Sequence, residues 1–315
     1  MLRSLSLKEV KKNNMCVIIL MSTYNGERYL KEQVESILSQ TVPIQLFVRD
    51  DGSADATHDI LDYYQDKGKL TWYEGKNLGA GESFFDAVLH APEAEYYAFA
   101  DQDDYWLPEK IEKAIEKIKT IDNDNVPILY CSDPIPTDAE LHPLCIKRKT
   151  SAYPEITLGL ALMESIAPGC TFVFNRKALL EFRKFPIEGI DIHDWALYRI
   201  VCALGGIVIH DDSSYILYRQ HGSNCIGFQQ RNFSHWINRF KRLKKNKGMR
   251  SVFARYLLIC YGDALSMENK KLLARIVDYD KILLKKNKLI FSNDLKMSHC
   301  VDSFILKCLI ILNLM

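Results

Sequence analysis

The sequence predicts an α/β fold in which a mostly parallel sheet is flanked by helices. Over the first 120 residues, four short apolar runs alternate with segments whose apolar residues recur at helical spacing, as in consecutive βα units. Each apolar run ends in a polar or Gly-containing turn. Because the carboxyl ends of parallel strands share one edge of a sheet, these turns are expected to gather there.

The first strand and helix show the pattern that predicts the others. Residues 16–21 (CVIILM) form a continuous apolar run, which is typical of a strand buried on both faces. Residues 27–40 then place Leu30, Val34 and Ile37 on one helical face. Further strands are predicted at 45–49, 70–74 and 96–100, and further helices at 56–65, 82–90 and 108–120. Asp55 is the expected N-cap of the second helix, and Pro108 fits the first turn of the fourth.

The second half of the chain is less regular. Strands are predicted at 128–132, 171–175, 207–210 and 215–217, and helices at 176–185 and 195–204. A polar loop is expected at 142–150, and the chain from residue 233 onward has the pattern of helices. The predicted organisation is a flexible N-terminus at 1–14, an α/β domain at 15–228 and a helical region at 229–315.

The composition excludes several classes of protein. The 315 residues are 48% hydrophobic and 26% charged, with a net charge of +1, so no general signal for polyanion binding exists. Nine cysteines, an odd number without a C-x-x-C pair, indicate reduced thiols and not a disulfide framework or zinc site. We find no signal-peptide core and no uncharged apolar run of 18 residues. The expected location is the cytoplasm.

The most informative stretch is the acidic turn Asp101-Gln102-Asp103-Asp104, which follows the fourth predicted strand. Side chains at i and i+2 of an extended segment point the same way, so Asp101 and Asp103 can converge. A hard divalent cation would relieve the repulsion between two such carboxylates. The alternative is a solvated acidic turn, which the position after a buried strand makes less favourable.

Two other polar segments follow predicted strands. Tyr24, within Ser22-Thr23-Tyr24-Asn25, could stack on a base, or the segment could be only a polar strand exit. A carboxylate within Asp50-Asp51-Gly52-Ser53 could accept the N3–H of a pyrimidine, and a helix-capping turn is the alternative.

Two later segments also carry candidate chemistry. Asp194, in the segment 191–195, could act as a general base, or it could be the N-cap of the helix that follows. In the segment 218–224, His221 could ligate a metal or hold a phosphate, and Arg219 could pair with a phosphate. A solvated loop is the alternative for that last segment.

Taken together and in chain order, these motifs resemble the family-2 glycosyltransferases, which have the Rossmann-like GT-A fold. The resemblance covers about residues 15–224. It is carried by the segments STYNGE (22–27), SILSQT (36–41), DDGS (50–53), NLG (77–79), DQDD (101–104) and HDW (193–195). The fuller forms DQDDYWLP, PGCT and YRQHGSN are similar to the rhamnosyltransferase-like branch.

The resemblance implies a role for each matching residue. Tyr24 and Asp51 would hold the pyrimidine, and Asp101 would approach the ribose or phosphate. The other donor-binding positions would be Ser22, Thr23, Asn25 and Asn77. Asp103 would coordinate Mg²⁺ or Mn²⁺, with His221 as a weaker second ligand. Asp194 would be the catalytic base, and the positions facing the sugar or acceptor would be Asp104, His193 and Trp195. The family often has another acidic residue before the base, where this chain has His193.

The resemblance therefore implies an inverting glycosyltransferase of bacterial-type surface polysaccharide synthesis. It would move rhamnose or another hexose from a dTDP- or UDP-linked donor to a glycan or lipid-linked glycan acceptor. Elementary chemistry agrees, because a metal can neutralise a diphosphate leaving group while a base activates the acceptor hydroxyl. One alternative is a metal-dependent sugar nucleotidyltransferase, although the turn at 22–27 has a single Gly. Another is a non-catalytic nucleotide-sugar-binding module, which the intact acidic residues disfavour.

The C-terminal third carries a concentrated positive charge. Seven of the twelve residues at 239–250 are Lys or Arg, with aromatic and aliphatic residues interleaved before and among them. A basic amphipathic helix of this kind suits an anionic membrane surface, here the inner face of the plasma membrane. The equal alternative is a helical subdomain folded onto the α/β domain. No nucleic-acid partner is expected, because no recognised nucleic-acid-binding module accompanies the basic run.

Overall fold

A computed structural model describes residues 16–121, 125–144, 155–190, 192–221, 248–292, 294–295, 297–298 and 300–315. The predicted flexible N-terminus, the part of the polar loop from residue 145 and the basic amphipathic segment up to residue 247 lie outside these ranges.

A seven-stranded sheet forms the centre of the molecule. Its strands are β1 (Val17–Thr23), β2 (Gln45–Asp50), β3 (Leu70–Glu74), β4 (Tyr96–Ala100), β6 (Ile128–Ser132), β8 (Val173–Asn175) and β9 (Ile207–Asp211), in the order β3-β2-β1-β4-β8-β6-β9. All neighbouring pairs are parallel except those of β8, which runs antiparallel to β4 and β6. The predicted mostly parallel sheet is therefore confirmed. A second sheet joins β5 (Tyr105–Trp106), β10 (Ile216–Arg219) and β7 (Ile135–Thr137) in that order.

Helices cover both faces of the large sheet. They are α1 (Leu30–Leu38), α2 (Thr57–Asp66), α3 (Ala80–His90), α4 (Lys110–Lys119), α5 (Leu158–Met163), α6 (Arg176–Phe182) and α7 (His193–Ala203). Strand β1 shows why two layers are needed. Ile18 and Leu20 point into one hydrophobic core, while Val17, Ile19 and Met21 point into the other, because side chains alternate along a strand.

Most differences from the predicted elements lie at their ends. Helix α4 begins at Lys110 and not at Pro108, and the strand expected at 171–175 begins at Val173 because residues 169–171 form a 3-10 turn. Asp55 is not the N-cap of α2. Its carboxylate instead accepts hydrogen bonds from the Thr57 amide and, across the turn, from the Glu27 amide, both at 3.0 Å.

The described part of the C-terminal region is helical and packs against the α/β domain. Its helices are α8 (Met249–Tyr261), α9 (Met267–Ile276), α10 (Leu283–Phe291) and α11 (Cys300–Ile311). The rings of Phe253 and Tyr261 pack against the Phe185 ring. All three belong to the hydrophobic core that contains Ile18 and Leu20 of β1. No helix in the described ranges is long and apolar enough to cross a bilayer.

Candidate active site

The parallel register brings the polar segments together at one edge of the sheet. Thr23 at the end of β1 pairs with Asp50 at the end of β2, and Met21 pairs with Ala100 at the end of β4. The segments 22–25, 50–53 and 101–104 therefore leave the sheet side by side. This is the edge at which open α/β sheets bind ligands.

A buried guanidinium, whose role the sequence did not reveal, organises the part of this edge that lies at the end of β2. Arg49 is 1% exposed. It contacts Asp51 at 2.5 Å and Asp86 of α3 at 2.8 Å, and it donates to the Ser83 hydroxyl at 2.8 Å. Ser83 in turn lies 2.5 Å from the Ser22 hydroxyl. The Arg49 side chain, directly or through Ser83, thus links the ends of β1 and β2 to α3, three segments that are distant in the sequence.

Asp51 links Arg49 to the loop that follows β3. Its Oδ1 accepts the Leu78 amide and its Oδ2 the Gly79 amide, each at 2.8 Å. Asn77, just before these amides, is exposed. A carboxylate oxygen can accept two hydrogen bonds, so Oδ2 retains capacity for one more donor besides Gly79. The neighbouring Asp50 is fully buried and serves the turn itself.

The hydrogen bonds of Asp50 show why that carboxylate is structural. It accepts from the Thr23 hydroxyl at 2.7 Å, from the Ser53 amide at 2.7 Å and from the His58 ring at 2.8 Å. Burial opposes its ionisation, but bonds from Ser53, Thr23 and His58 lower the pKa of Asp50 below its usual value. The Thr23 hydroxyl is therefore engaged with Asp50 inside the fold, and its contact with the donor stays a prediction.

Tyr24 is held open at the surface by a side chain from the acidic turn. The Tyr24 amide donates to Gln102 Oε1 at 2.9 Å, and Gln102 Nε2 donates to the Tyr24 carbonyl at 3.1 Å. The Tyr24 side chain remains 48% exposed, as a stacking platform requires. Asn25 follows in the left-handed region at φ 48° and accepts the Ala54 amide at 2.8 Å.

The backbone of the acidic turn is fixed from α1. Gln33 is fully buried and donates through Nε2 to the Asp101 carbonyl at 3.0 Å. Ser36 donates to Gln33 Oε1 at 3.1 Å and accepts the Trp106 amide at 3.0 Å. Gln33 stands on the apolar face that α1 turns to the core. A polar residue on the apolar face of a helix was the sequence signal that could have indicated this supporting role of Gln33.

Three carboxylates converge at this turn. Burial and the negative charges of Asp103 and Asp194 raise the pKa of Asp101 to about 7. This interaction places the general-base candidate close to the acidic turn, although more than 90 residues separate them in the sequence. The side chains of Asp101, Asp104 and Cys170 also offer ligand atoms within 4.8 Å of one another.

Asp104 is buried within this group. It has no exposed surface, and its Oδ1 accepts the Arg219 amide at 3.2 Å. Burial and the nearby carboxylates raise its pKa. Lys110 is also buried, with its Nζ 3.6 Å from the centroid of the Trp106 ring. Asp104 is therefore enclosed beneath the acidic turn, and its contact with sugar or acceptor stays a prediction.

Asp103 and His221 meet as the resemblance implied. The His221 Nε2 lies 2.8 Å from Asp103 Oδ2, and both side chains are partly accessible. Arg219 does not offer its guanidinium to a ligand, which corrects the expected phosphate contact. It bonds to the Asp103 carbonyl at 2.8 Å, to the Ala139 carbonyl and to Glu32.

The donor set at this point fits a divalent cation. The Asp101 and Asp103 carboxylates and the His221 imidazole are groups that Mg²⁺ or Mn²⁺ accepts. Burial raises the pKa of Cys170 well above its usual value. Its thiol therefore stays protonated, as a donor to Asp101 and a poor ligand for a hard cation.

Asp194 faces the site from the first turn of α7. Ile192 is the N-cap residue, so Asp194 does not cap the helix. Its Oδ2 accepts the Gly169 amide at 2.7 Å. A Cβ at position 169 would lie 2.7 Å from the Asp194 Cβ. Gly169 of the PGCT segment is therefore required for the two elements to approach this closely.

His193 and Trp195, the neighbours of Asp194, both make packing contacts inside the protein. The His193 ring stacks on Phe84 at 3.9 Å and meets the edge of Phe99 at 4.8 Å. Burial lowers the pKa of His193 to about 3, so the imidazole is neutral. Trp195 donates its indole N–H to the Ala161 carbonyl at 2.6 Å, and Arg199 covers its ring at 3.7 Å.

Comparison with known proteins agrees with this geometry. The profile "Glycosyl transferase family 2" matches residues 18–183. dTDP-rhamnosyl transferase RfbG of Shigella flexneri is 32% identical over 224 residues, which are 66% of this chain and 73% of that protein. UDP-Glc:alpha-D-GlcNAc-diphosphoundecaprenol beta-1,3-glucosyltransferase WfaP of Escherichia coli is 27% identical over 248 residues, which are 78% of this chain and 90% of that protein. The crystal structure of S. aureus TarS 1–349 in complex with UDP-GlcNAc has a TM-score of 0.56 at 20% identity, covering 88% of this chain and 74% of that chain. This chain belongs to glycosyl transferase family 2, and it is a glycosyltransferase with the GT-A fold.

Proposed function

We propose that the protein is an inverting glycosyltransferase that moves rhamnose or another hexose from a dTDP- or UDP-linked donor to a glycan or lipid-linked glycan. The observation that carries the proposal is the acidic turn at the carboxyl edge of the sheet, where Asp103 lies 2.8 Å from His221 and the negative charges of Asp103 and Asp194 act on Asp101. Two relatives support the substrate class. One is a dTDP-rhamnosyl transferase, and the other transfers glucose to a diphosphoundecaprenol-linked sugar.

The donor nucleotide is proposed to bind between the ends of β1 and β2. Tyr24 offers an exposed ring for stacking on the base. Asp51 would accept the N3–H of the pyrimidine through Oδ2, while Arg49 holds its Oδ1 at 2.5 Å. Uracil and thymine both carry this N3–H, so the contact serves either nucleotide. Ser22, Asn25 and Asn77 are the other residues proposed to contact the donor.

Asp103 and His221 would hold Mg²⁺ or Mn²⁺, with Asp101 beside them. When bound, the cation would neutralise the developing charge of the nucleoside diphosphate leaving group. The chain itself supplies a rigid support for these ligands. Gln33 fixes the backbone at Asp101, and Arg219 fixes it at Asp103.

Asp194 is proposed to take the proton from the acceptor hydroxyl. The Gly169 amide, which donates to Asp194 Oδ2 at 2.7 Å, orients its carboxylate. A single displacement by the activated hydroxyl inverts the anomeric centre, so no nucleophilic side chain is required. The buried, neutral His193 beside it cannot substitute as a second acid in this conformation.

Thermal stabilisation and product analysis test the proposal. A ligand that binds the native state raises its apparent stability, so dTDP- or UDP-sugars with Mn²⁺ should raise the melting temperature of the wild type. Asp194→Asn should retain that shift and lose transfer or slow donor hydrolysis by roughly a hundredfold or more. Asp66→Asn, at an exposed position at the end of α2, is the matched control.

Two other outcomes would redirect the assignment. Release of pyrophosphate from a nucleoside triphosphate and a sugar phosphate would indicate the nucleotidyltransferase alternative. Metal-dependent nucleotide binding without donor turnover by the wild type would indicate a binding module. Full activity of Asp194→Asn would refute the assignment of the base.

A further inference from the structure

The C-terminal helix pair, defined as α10 and α11 with the segment between them, presents many apolar side chains to solvent. Phe291 is 83% exposed, Leu283 is 72% exposed and Phe304 is 68% exposed. The other exposed apolar residues are Ile282, Leu284, Ile311 and Leu312. Single exposed apolar residues are common, but a concentration of this kind marks an interaction site.

The inner face of the helix pair is already occupied by the protein core. Leu289, Leu306 and Ile310 are buried in the same hydrophobic core as the α/β domain. Lys286 Nζ of α10 donates to the Ile311 carbonyl at 2.6 Å and to Asn313 Oδ1 at 2.8 Å, and so joins α10 to the end of α11. The exposed apolar residues therefore lie on the outer face of the helix pair.

The charge around these residues is positive. Residues 281–292 contain four Lys and no Asp or Glu, and residues 303–315 contain one Lys and no Asp or Glu. Of the neighbouring acids, Asp278 and Asp294 are paired within the protein, Asp302 is buried and Asp280 is exposed. Asp278 lies 3.1 Å from Arg255 and 3.2 Å from Lys281, and Asp294 lies 2.5 Å from Arg275. An apolar surface bordered by lysines matches the headgroup region of an anionic bilayer.

The helix pair also adjoins the side of the molecule that carries the proposed base. The Ser298 amide, between α10 and α11, donates to Glu164 at 2.8 Å, at the end of α5. Ala161 of α5 accepts the indole N–H of Trp195, the residue next to Asp194. A single short helix therefore separates the exposed apolar surface from the segment that contains Asp194.

We propose that the helix pair seats the protein on an anionic membrane surface, with Asp194 on the side where a lipid-linked acceptor would enter. This inference rests on the proposed function for its acceptor. A second copy of the chain is a less suitable occupant, because a two-fold contact would place the same lysine-bordered surface on both sides.

Co-sedimentation of the full chain with vesicles tests the inference. Binding is expected with vesicles that contain about one third anionic lipid, and it should weaken at high salt and with neutral vesicles. Leu284→Ser combined with Phe291→Ser should lower the partition coefficient at least about tenfold, because both side chains would bury apolar surface in the bilayer. Leu89→Ser, an exposed position on α3, should bind as the wild type does.

Three results would overturn the inference. The wild type could stay in solution with anionic vesicles, or the double variant could pellet as the wild type does. Light scattering could instead show that the double variant dissociates a dimer that binds no vesicles, which would assign the surface to a second copy. Nucleotide-dependent thermal stabilisation of the same variants should be unchanged. If nucleotides do not stabilise the wild type, that result contradicts the proposed function, whereas the inference about the membrane surface is unaffected.

Discussion

His193 offers a quantitative test of the difference between a packing residue and a substrate-binding residue. The imidazole is buried between Phe84 and Phe99, and burial lowers its pKa to about 3. An unfolded histidine titrates near pH 6.5, so between these two values the unfolded chain binds more protons than the native protein. The free energy of unfolding must therefore fall as the pH falls, by about 2 kcal/mol between pH 7 and pH 5 from this residue alone.

The variant His193→Leu should lose this pH dependence. Leu can fill the space between the two rings and has no titratable group. Relative to the wild type, the unfolding free energy of the variant should therefore rise by about 2 kcal/mol between pH 7 and pH 5. Denaturant unfolding followed by circular dichroism at several pH values measures it. His142→Leu, at an exposed side chain, is the control. Equal pH dependence in His193→Leu and wild type would refute the reasoning.

Three further predictions concern the donor site. Gln102→Ala should weaken nucleotide binding by about tenfold in titration calorimetry, because two hydrogen bonds that hold Tyr24 are lost; unchanged affinity would count against the stacking role. Arg49→Met should lower stability by about 3 kcal/mol and raise the donor KM more than it lowers kcat, since Asp51 loses its buried counter-charge; a loss confined to kcat would contradict this role. Mn²⁺-dependent nucleotide binding should strengthen by about tenfold from pH 6 to pH 8, as Asp101 ionises near its pKa of about 7, and a flat profile would exclude Asp101 from the cation site.

The strands of the sheet were predictable because each combines strong local signals. Residues 70–74, 96–100 and 128–132 are short runs of apolar or β-branched residues bounded by turn residues, and the structure places strands at the same residues. Parallel neighbours then follow from the alternation with helices. The family resemblance added the meeting of Asp103 with His221, two residues that pattern alone could not have brought together.

The supporting residues could not be predicted, because their partners are distant in sequence. Arg49 is a charged residue in a short strand, and only the packing of α3 shows that Ser83 and Asp86 surround it. Nothing in the segment around His193 indicates that its ring is enclosed by two Phe side chains. Nothing in the acidic motif indicates that Asp104, unlike Asp101 and Asp103, is fully buried.

If this edge of the sheet is a metal-dependent nucleotide-sugar site, Asp103→Asn should remove its response to metal. The melting temperature of wild type and variant is measured with dTDP or UDP, each with and without Mn²⁺. We expect a metal-dependent increase for the wild type with at least one nucleotide, its loss in Asp103→Asn, and its retention in Asp66→Asn. An equal metal-dependent increase in wild type and Asp103→Asn would show that Asp103 holds no cation there.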